Sequence, residues 1–391
     1  MINTPNIIFT TEYVAKIGGK YYFVASEMNA VCSIDVQTER VEIIGSIPEE
    51  AVFSERVCAK IVVWNGELIF VPMNGKKIWF YRLEGKIWHS LYIKNEKLQR
   101  KVRQAFIYKD KLFMVGCHYP AIICVDLITE DVKYIEAPFK VVQDIYIKRD
   151  LYGYFRHDCV LKENLLYFAS FITNKVLLFN LEDFHWEYVT VGKSENGYSG
   201  IAWDGKFFWL APNDKTYIVK WDGNKLYREY PLPFHGMNKK ILFLGVVFWN
   251  EDIIFPAFRT EYTLVFHHAD VEKCELRKEQ YLFYVVCDDN EIICGDENGN
   301  ISIVTNKGKR YCVRCSIPEN ELLKKLNIPD EEYKQYLLNK FSGIVRENGS
   351  FGLGTLLSYI DTGDQKENEG IIMKNVSTDY NNGKRIWERL I

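Results

Sequence analysis

"GKFFWLAPNDKTYIVKWDGNKLYREYPLP" spans Gly205 to Pro233. It reads as a strand, a short polar turn, a second strand, another turn and a third strand. The same grammar returns along most of the chain. Runs that open on a turn residue or a charge and then turn apolar begin at Lys20, Gly66, Asp110, Asn164, Gly205, Glu251 and Asn290. Each is followed by a polar turn and another apolar run, such as "KIWFYRL" (77–83) or "KVLLFNL" (175–181). Each is also preceded by one, such as "AKIVVWN" (59–65). Successive units are spaced by roughly 40 to 54 residues, the period of four-stranded propeller blades.

One four-stranded meander cannot bury both of its faces. Stacking such units radially buries them and leaves only short sheet edges. Seven units fit the count, with six or eight as the neighbouring alternatives. The expected fold is therefore all-β: a seven-bladed β-propeller over residues 1–315, followed by a short helical extension over 316–391. The repeats over about 12–315 resemble the β-propeller proteins of bacteria, kelch- and WD-like in architecture. No subfamily signature accompanies the resemblance. The double glycine of a kelch blade occurs only at Gly18-Gly19, and Trp203-Asp204 and Trp221-Asp222 do not close blades.

After residue 315 the pattern changes. "SIPENELLKKLN" places Ser316 as a helix N-cap, with Glu319 three positions on and Pro318 in the first turn. "NIPDEEYKQYLLNKFSGI" repeats the arrangement from Asn327, with Tyr333, Leu337, Phe341 and Ile344 on one apolar face. The extension is too polar and short for a core of its own and is expected to pack on the propeller. Its terminal "GKRIWERL" is similar to the closing helix of some bacterial proteins from surface-polysaccharide clusters.

Composition agrees with a large folded core. Of 391 residues, 48% are hydrophobic, and the 25 Tyr, 24 Phe and 9 Trp suit pleated, half-buried strands. The formal net charge of -3 gives no global field for nucleic acid or an anionic membrane. "MINTPNIIFTTEY" lacks the basic and apolar regions of a secretory signal. The longest apolar run, "ILFLGVVFW" (241–249), is half of what a bilayer requires. The ten cysteines are scattered, mostly inside strand-like runs, and read as free thiols. A cytoplasmic location follows as the expectation.

In a propeller, the loops entering the innermost strands and the turns between second and third strands meet on one face. Function concentrates there because a rigid scaffold positions those loops. Arg56, Arg103 and Arg156 sit at matching positions in successive entry loops, joined by His157. Arg259, His118 and Lys215 occupy the opposing turns. Pointing inward, they form a positive rim suited to carboxylate or phosphate. Tyr119, Tyr154, Tyr198, Phe258 and Tyr262 offer flat surfaces beside them. The competing reading pairs each arginine with a nearby acid, such as Glu55 or Asp158, on a solvated rim. Ligand contacts are thus assigned to Arg56, Arg103, Arg156, Tyr198 and Arg259, and replacing the arginines should leave folding nearly unchanged.

Other constellations carry less. Cys312 and Cys315 have the spacing of half a zinc site but face opposite sides of a strand, with no second pair to complete it. No metal and no cofactor is expected. Two functions from different classes remain. One is a binding propeller that presents its mouth to an anionic glycan, peptide or protein. The other is a hydrolase or lyase acting there on an anionic carbohydrate or modified peptide, with His157, His118 and Glu55 as candidates for its base.

Overall fold

The computed structural model describes residues 6–149, 153–156, 158–193, 197–213, 217–232, 242–270, 274–278, 283–287 and 291–337. Seven antiparallel four-stranded sheets follow one another in chain order, and the chain is a seven-bladed β-propeller. Blade one runs Ala15–Ile17, Lys20–Val24, Val31–Asp35 and Arg40–Gly45; blade two runs Cys58–Trp64, Glu67–Pro72, Lys77–Arg82 and Ile87–Tyr92. The innermost strands of blades three to seven are Val102–Tyr108, Val160–Lys162, Tyr198–Trp203, Val247–Trp249 and Phe283–Cys287. Each blade is a simple meander from hub to rim.

The apolar runs have a direct cause. Second and third strands are covered on both faces by neighbouring blades, so Glu67–Pro72 and Phe208–Pro212 are buried throughout. Outer strands such as Leu226–Pro231 are largely exposed. Alternate residues of one strand serve opposite seams, as the two-residue period of a strand requires. Tyr21 and Phe23 pack toward blade seven with Ile293, Ile301 and Val313. Tyr22 and Val24 pack toward blade two with Leu68, Phe70 and Trp79. Each such ring or branched side chain contributes about 1.5–3 kcal/mol when fully buried. Tight hairpins join the first two strands. Asn65 and Gly66 have φ of 46° and 80°, the two positive values that a type I′ turn needs.

The ring is closed by the two ends of the fold. Asn6–Ile8 pairs antiparallel with Ser316–Pro318, and the Phe9 N–H donates to the Cys315 carbonyl at 2.8 Å. Ser316 is therefore in a strand and not a helix cap. The helix begins at Glu319, behind an extended Pro318, with no side-chain cap. This pairing across the whole chain overrides a locally sound capping pattern. Helix Glu319–Lys325 buries Leu322 against blades one and seven, and a second helical stretch over 330–337 adds Tyr333, Tyr336 and Leu337 to the same cluster. Phe341 and Ile344 lie outside the described residues. The longest repeat spacing, between Asp110 and Asn164, is explained by two short helices, Ala137–Lys140 and Gln143–Arg149, inserted before blade four.

Candidate functional site

The loops at one face are welded to the blade before them by a recurring backbone bond. The N–H of Arg56 donates to the Ser26 carbonyl (2.9 Å), that of Lys101 to Met73 (2.9 Å), that of Tyr154 to Cys117 (2.6 Å) and that of Tyr198 to Ser170 (2.8 Å). Each bond ties an entry loop to the preceding second-to-third turn, so the mouth of the hub is built on fixed backbone.

Three inner strands also carry a bulge at the same place. The register skips Ala59, Arg103 and Ser199 in blades two, three and five. A bulge re-aims a side chain that a regular strand would alternate. At blade three it delivers Arg103, nine-tenths buried, to the carboxylate of Glu12. The second oxygen of Glu12 lies 3.2 Å from the Nε of the half-exposed Arg56. Glu12 thus reaches from the segment before blade one to the entry of blades two and three.

Arg156 lies next to this pair. Its guanidinium stacks on the Phe171 ring at 4.3 Å. Burial, together with the neighbouring charge of Arg103, pushes it down to about 10, with Arg100 acting in the same direction and Glu12 opposing. Burial alone would also lower Arg103, but the Glu12 carboxylate more than reverses that, so it stays above its ordinary value. Between these groups sits the Cys117 thiol. Burial raises it against the pull of Arg103, Arg156 and Arg100, so it remains protonated. Gly153, with φ of 94°, must lack a side chain here, because a Cβ would stand 2.3 Å from the Cys117 sulfur. Deeper in the hub, the Lys60 ammonium donates to Gln104 and lies over the Tyr13 ring at 5.0 Å.

The arrangement brings four guanidinium groups near one another: half-exposed Arg56 and deep Arg103 share the Glu12 carboxylate, and deep Arg156 lies beside them within reach of the exposed Arg100. Arg56, Arg103 and Arg156 come together as the repeat alignment expects. The acid shared by Arg56 and Arg103 is Glu12; the Asp158 carboxylate accepts the Val246 N–H at 2.8 Å, and Glu55 is exposed. Because Arg103 is buried and paired, it is not a rim charge, and its loss is not neutral to folding. Glu12 and Arg100 were missed by sequence reasoning. Arg100 stands in the same entry loop as Arg103. Glu12 occupies the blade-one counterpart of these loops, and that alignment was the available signal.

The remaining candidates stand elsewhere. Tyr198 is 1% exposed, and its hydroxyl donates to the Val191 carbonyl at 2.5 Å, so its ring fills the seam between blades four and five and presents no face to a ligand. Tyr119 and Tyr154 are likewise buried, which pushes both phenols up to about 12. Arg259 stacks over its neighbour Phe258 at 5.5 Å. The His118 Nδ1 is 2.7 Å from the Tyr146 hydroxyl, in a pile of rings where Tyr146 stacks on Tyr154 at 4.1 Å. His157 and Lys215 lie outside the described residues. Cys312 is exposed and Cys315 buried. Among the described residues, no group of three His, Cys, Asp or Glu could hold a metal ion. No helix there is long and apolar enough to cross a membrane.

No protein-family model matches the chain, and no curated protein matches it in sequence. Solved structures match its fold. A virginiamycin B lyase from Staphylococcus aureus is 12% identical with a TM-score of 0.54, over 79% of this chain and 98% of that one. U3-55K is 8% identical with a TM-score of 0.53, over 80% and 97%. PorZ, a surface component of the type-IX secretion system of Porphyromonas gingivalis, is 11% identical with a TM-score of 0.52, over 80% and 39%. At such identities the likeness extends to the propeller and no further.

Proposed function

We propose that this protein is a binding propeller that receives an acidic group of a peptide, protein or glycan at the arginine-rich mouth of its hub. The observation that carries the reading is the convergence of guanidinium groups there: Arg56 and Arg103 share Glu12, and Arg156 lies beside them within reach of the Arg100 charge, on a chain whose overall charge is -3. Two of the four are deep, where water screens them least. Guanidinium groups hold carboxylate and phosphate through paired hydrogen bonds. They do not exchange protons near neutral pH, so the arrangement favours binding over acid–base catalysis. The fold itself is neutral on this point, since it is shared with a lyase and with components of protein assemblies. The nine cysteines whose side chains are described are free thiols, which supports a reducing, cytoplasmic setting.

The test is calorimetric titration with three probes: a glutamate-rich peptide, a phosphoserine peptide and a glucuronate oligosaccharide. At least one should bind, more weakly as salt rises. Arg156→Ala should then lose roughly ten- to hundredfold in affinity, the worth of a charged hydrogen-bonded contact. Binding by none of the three, or binding that Arg156→Ala leaves intact, defeats the reading.

A further inference from the structure

The seam between blades six and seven is built unlike the other six. In every blade, cross-strand pairs on the second and third strands face the preceding blade. The pair nearer the mouth is buried and apolar through blades one to six, as in Phe70 with Trp79, Phe168 with Leu177 or Phe255 with Leu264. In blade seven it is Cys294 with Ser302, on strands Glu291–Gly295 and Asn300–Thr305, and both residues are only half-buried. Side chains this short cannot span sheets that pack about 10 Å apart. They line instead a cleft of about 440 Å³ that reaches the mouth end of the seam, a size suited to a small ligand.

The walls of this cleft carry both signs of charge. The Nη2 of Arg310 donates to the Ser302 hydroxyl at 3.3 Å. Lys278, just beyond the outer strand of blade six (Cys274–Arg277), supplies a second cation. Glu261 and Glu297 bring carboxylates from the second-to-third turns of blades six and seven. Asp296 serves the turn itself. Its carboxylate accepts the N–H groups of Asn298 and Asn300 and the Asn300 side-chain amide, each at 2.9 Å, and so fixes the backbone that carries Glu297.

We infer that this cleft is a second binding site, for a small zwitterion: a free amino acid or short peptide whose ammonium and carboxylate are both unblocked. Arg310 and Lys278 receive the carboxylate, and Glu261 and Glu297 the ammonium. A purely acidic ligand meets the two glutamates and a purely cationic one meets the two bases, so a molecule bearing both charges is the match. Cys294 and Ser302, which cost the seam its apolar pair, make the room. The site uses none of the hub arginines and does not rest on the binding reading above.

The test is calorimetric titration with free amino acids, glutamine and lysine among them, and with glycylglycine, each beside its N-acetylated and its carboxyl-amidated form. At least one unblocked probe should bind, and blocking either end should weaken it about tenfold, the value of one charged contact. Ser302→Leu, which supplies the bulk found at Leu177 and Leu264, should abolish the binding. Should Ser302→Leu not fold, Lys278→Ala and Glu297→Ala should each lose about tenfold. Binding by no unblocked probe, blocked forms that bind equally well, or binding that these variants leave intact overturns the inference and leaves the hub reading standing.

Discussion

The hub and the seams of this ring treat a buried cation in opposite ways. At the hub, Arg103 is supplied with a carboxylate and stays fully charged. Two residues earlier, Lys101 turns into the seam between blades two and three. There it is 0% exposed, and its ammonium donates to the Gly75 carbonyl, at 2.9 Å. Burial pushes it down to about 8, against the pull of Glu50 and Glu96. Charge at the hub is thus maintained, while in the seam it is merely tolerated on a group able to shed its proton. The difference separates what the fold keeps for a partner from what it needs for packing.

The harshest way to probe the seams is Trp209→Ala. Trp209 is completely buried between blades five and six, and its indole N–H donates to Asp204 at 2.6 Å. Thermal or urea denaturation should show a loss of about 3–5 kcal/mol. Lys101→Met tests the other half of the contrast. The native ammonium loses its proton near pH 8 and the unfolded one near 10.5, so between those values the unfolded chain binds more protons. Stability of the unaltered protein should rise with pH across that window, and below it the full penalty of about 3 kcal/mol is present. Lys101→Met should be more stable at pH 7, by up to that amount less the lost hydrogen bond, and should lose the rise. A variant that is less stable at pH 7 would erase the distinction between hub and seam. The smallest effects belong to the hub. Arg103→Ala leaves a mostly buried Glu12 short of a partner and should cost about 1–3 kcal/mol. Arg56→Ala, at 42% exposure, should cost under about 1 kcal/mol. Equal costs for the two would show that depth does not divide the cluster.

What the sequence discloses follows the same line. The blades were legible because strands covered on both faces must be apolar throughout, and that requirement is written in every second strand. The convergence of Arg56, Arg103 and Arg156 was legible because repeats place equivalent loops side by side. Tyr198 was not, because a bulge at the next residue and a hydroxyl bond to Val191 decide where its ring points. Glu12 was not, because an acid in an entry loop looks the same whether it faces solvent or two arginines. Ser316 had every local mark of a cap, and only a strand from the far end of the fold says otherwise.

That same joint orders events in time. Because residues 6–8 have no sheet partner until 316–318 have been made, a growing chain carries an unlatched ring until its seventh blade is complete. Blade one waits with one flank bare, and Glu12 sits beside the latch. Assembly of the pocket is thereby tied to completion of the circle.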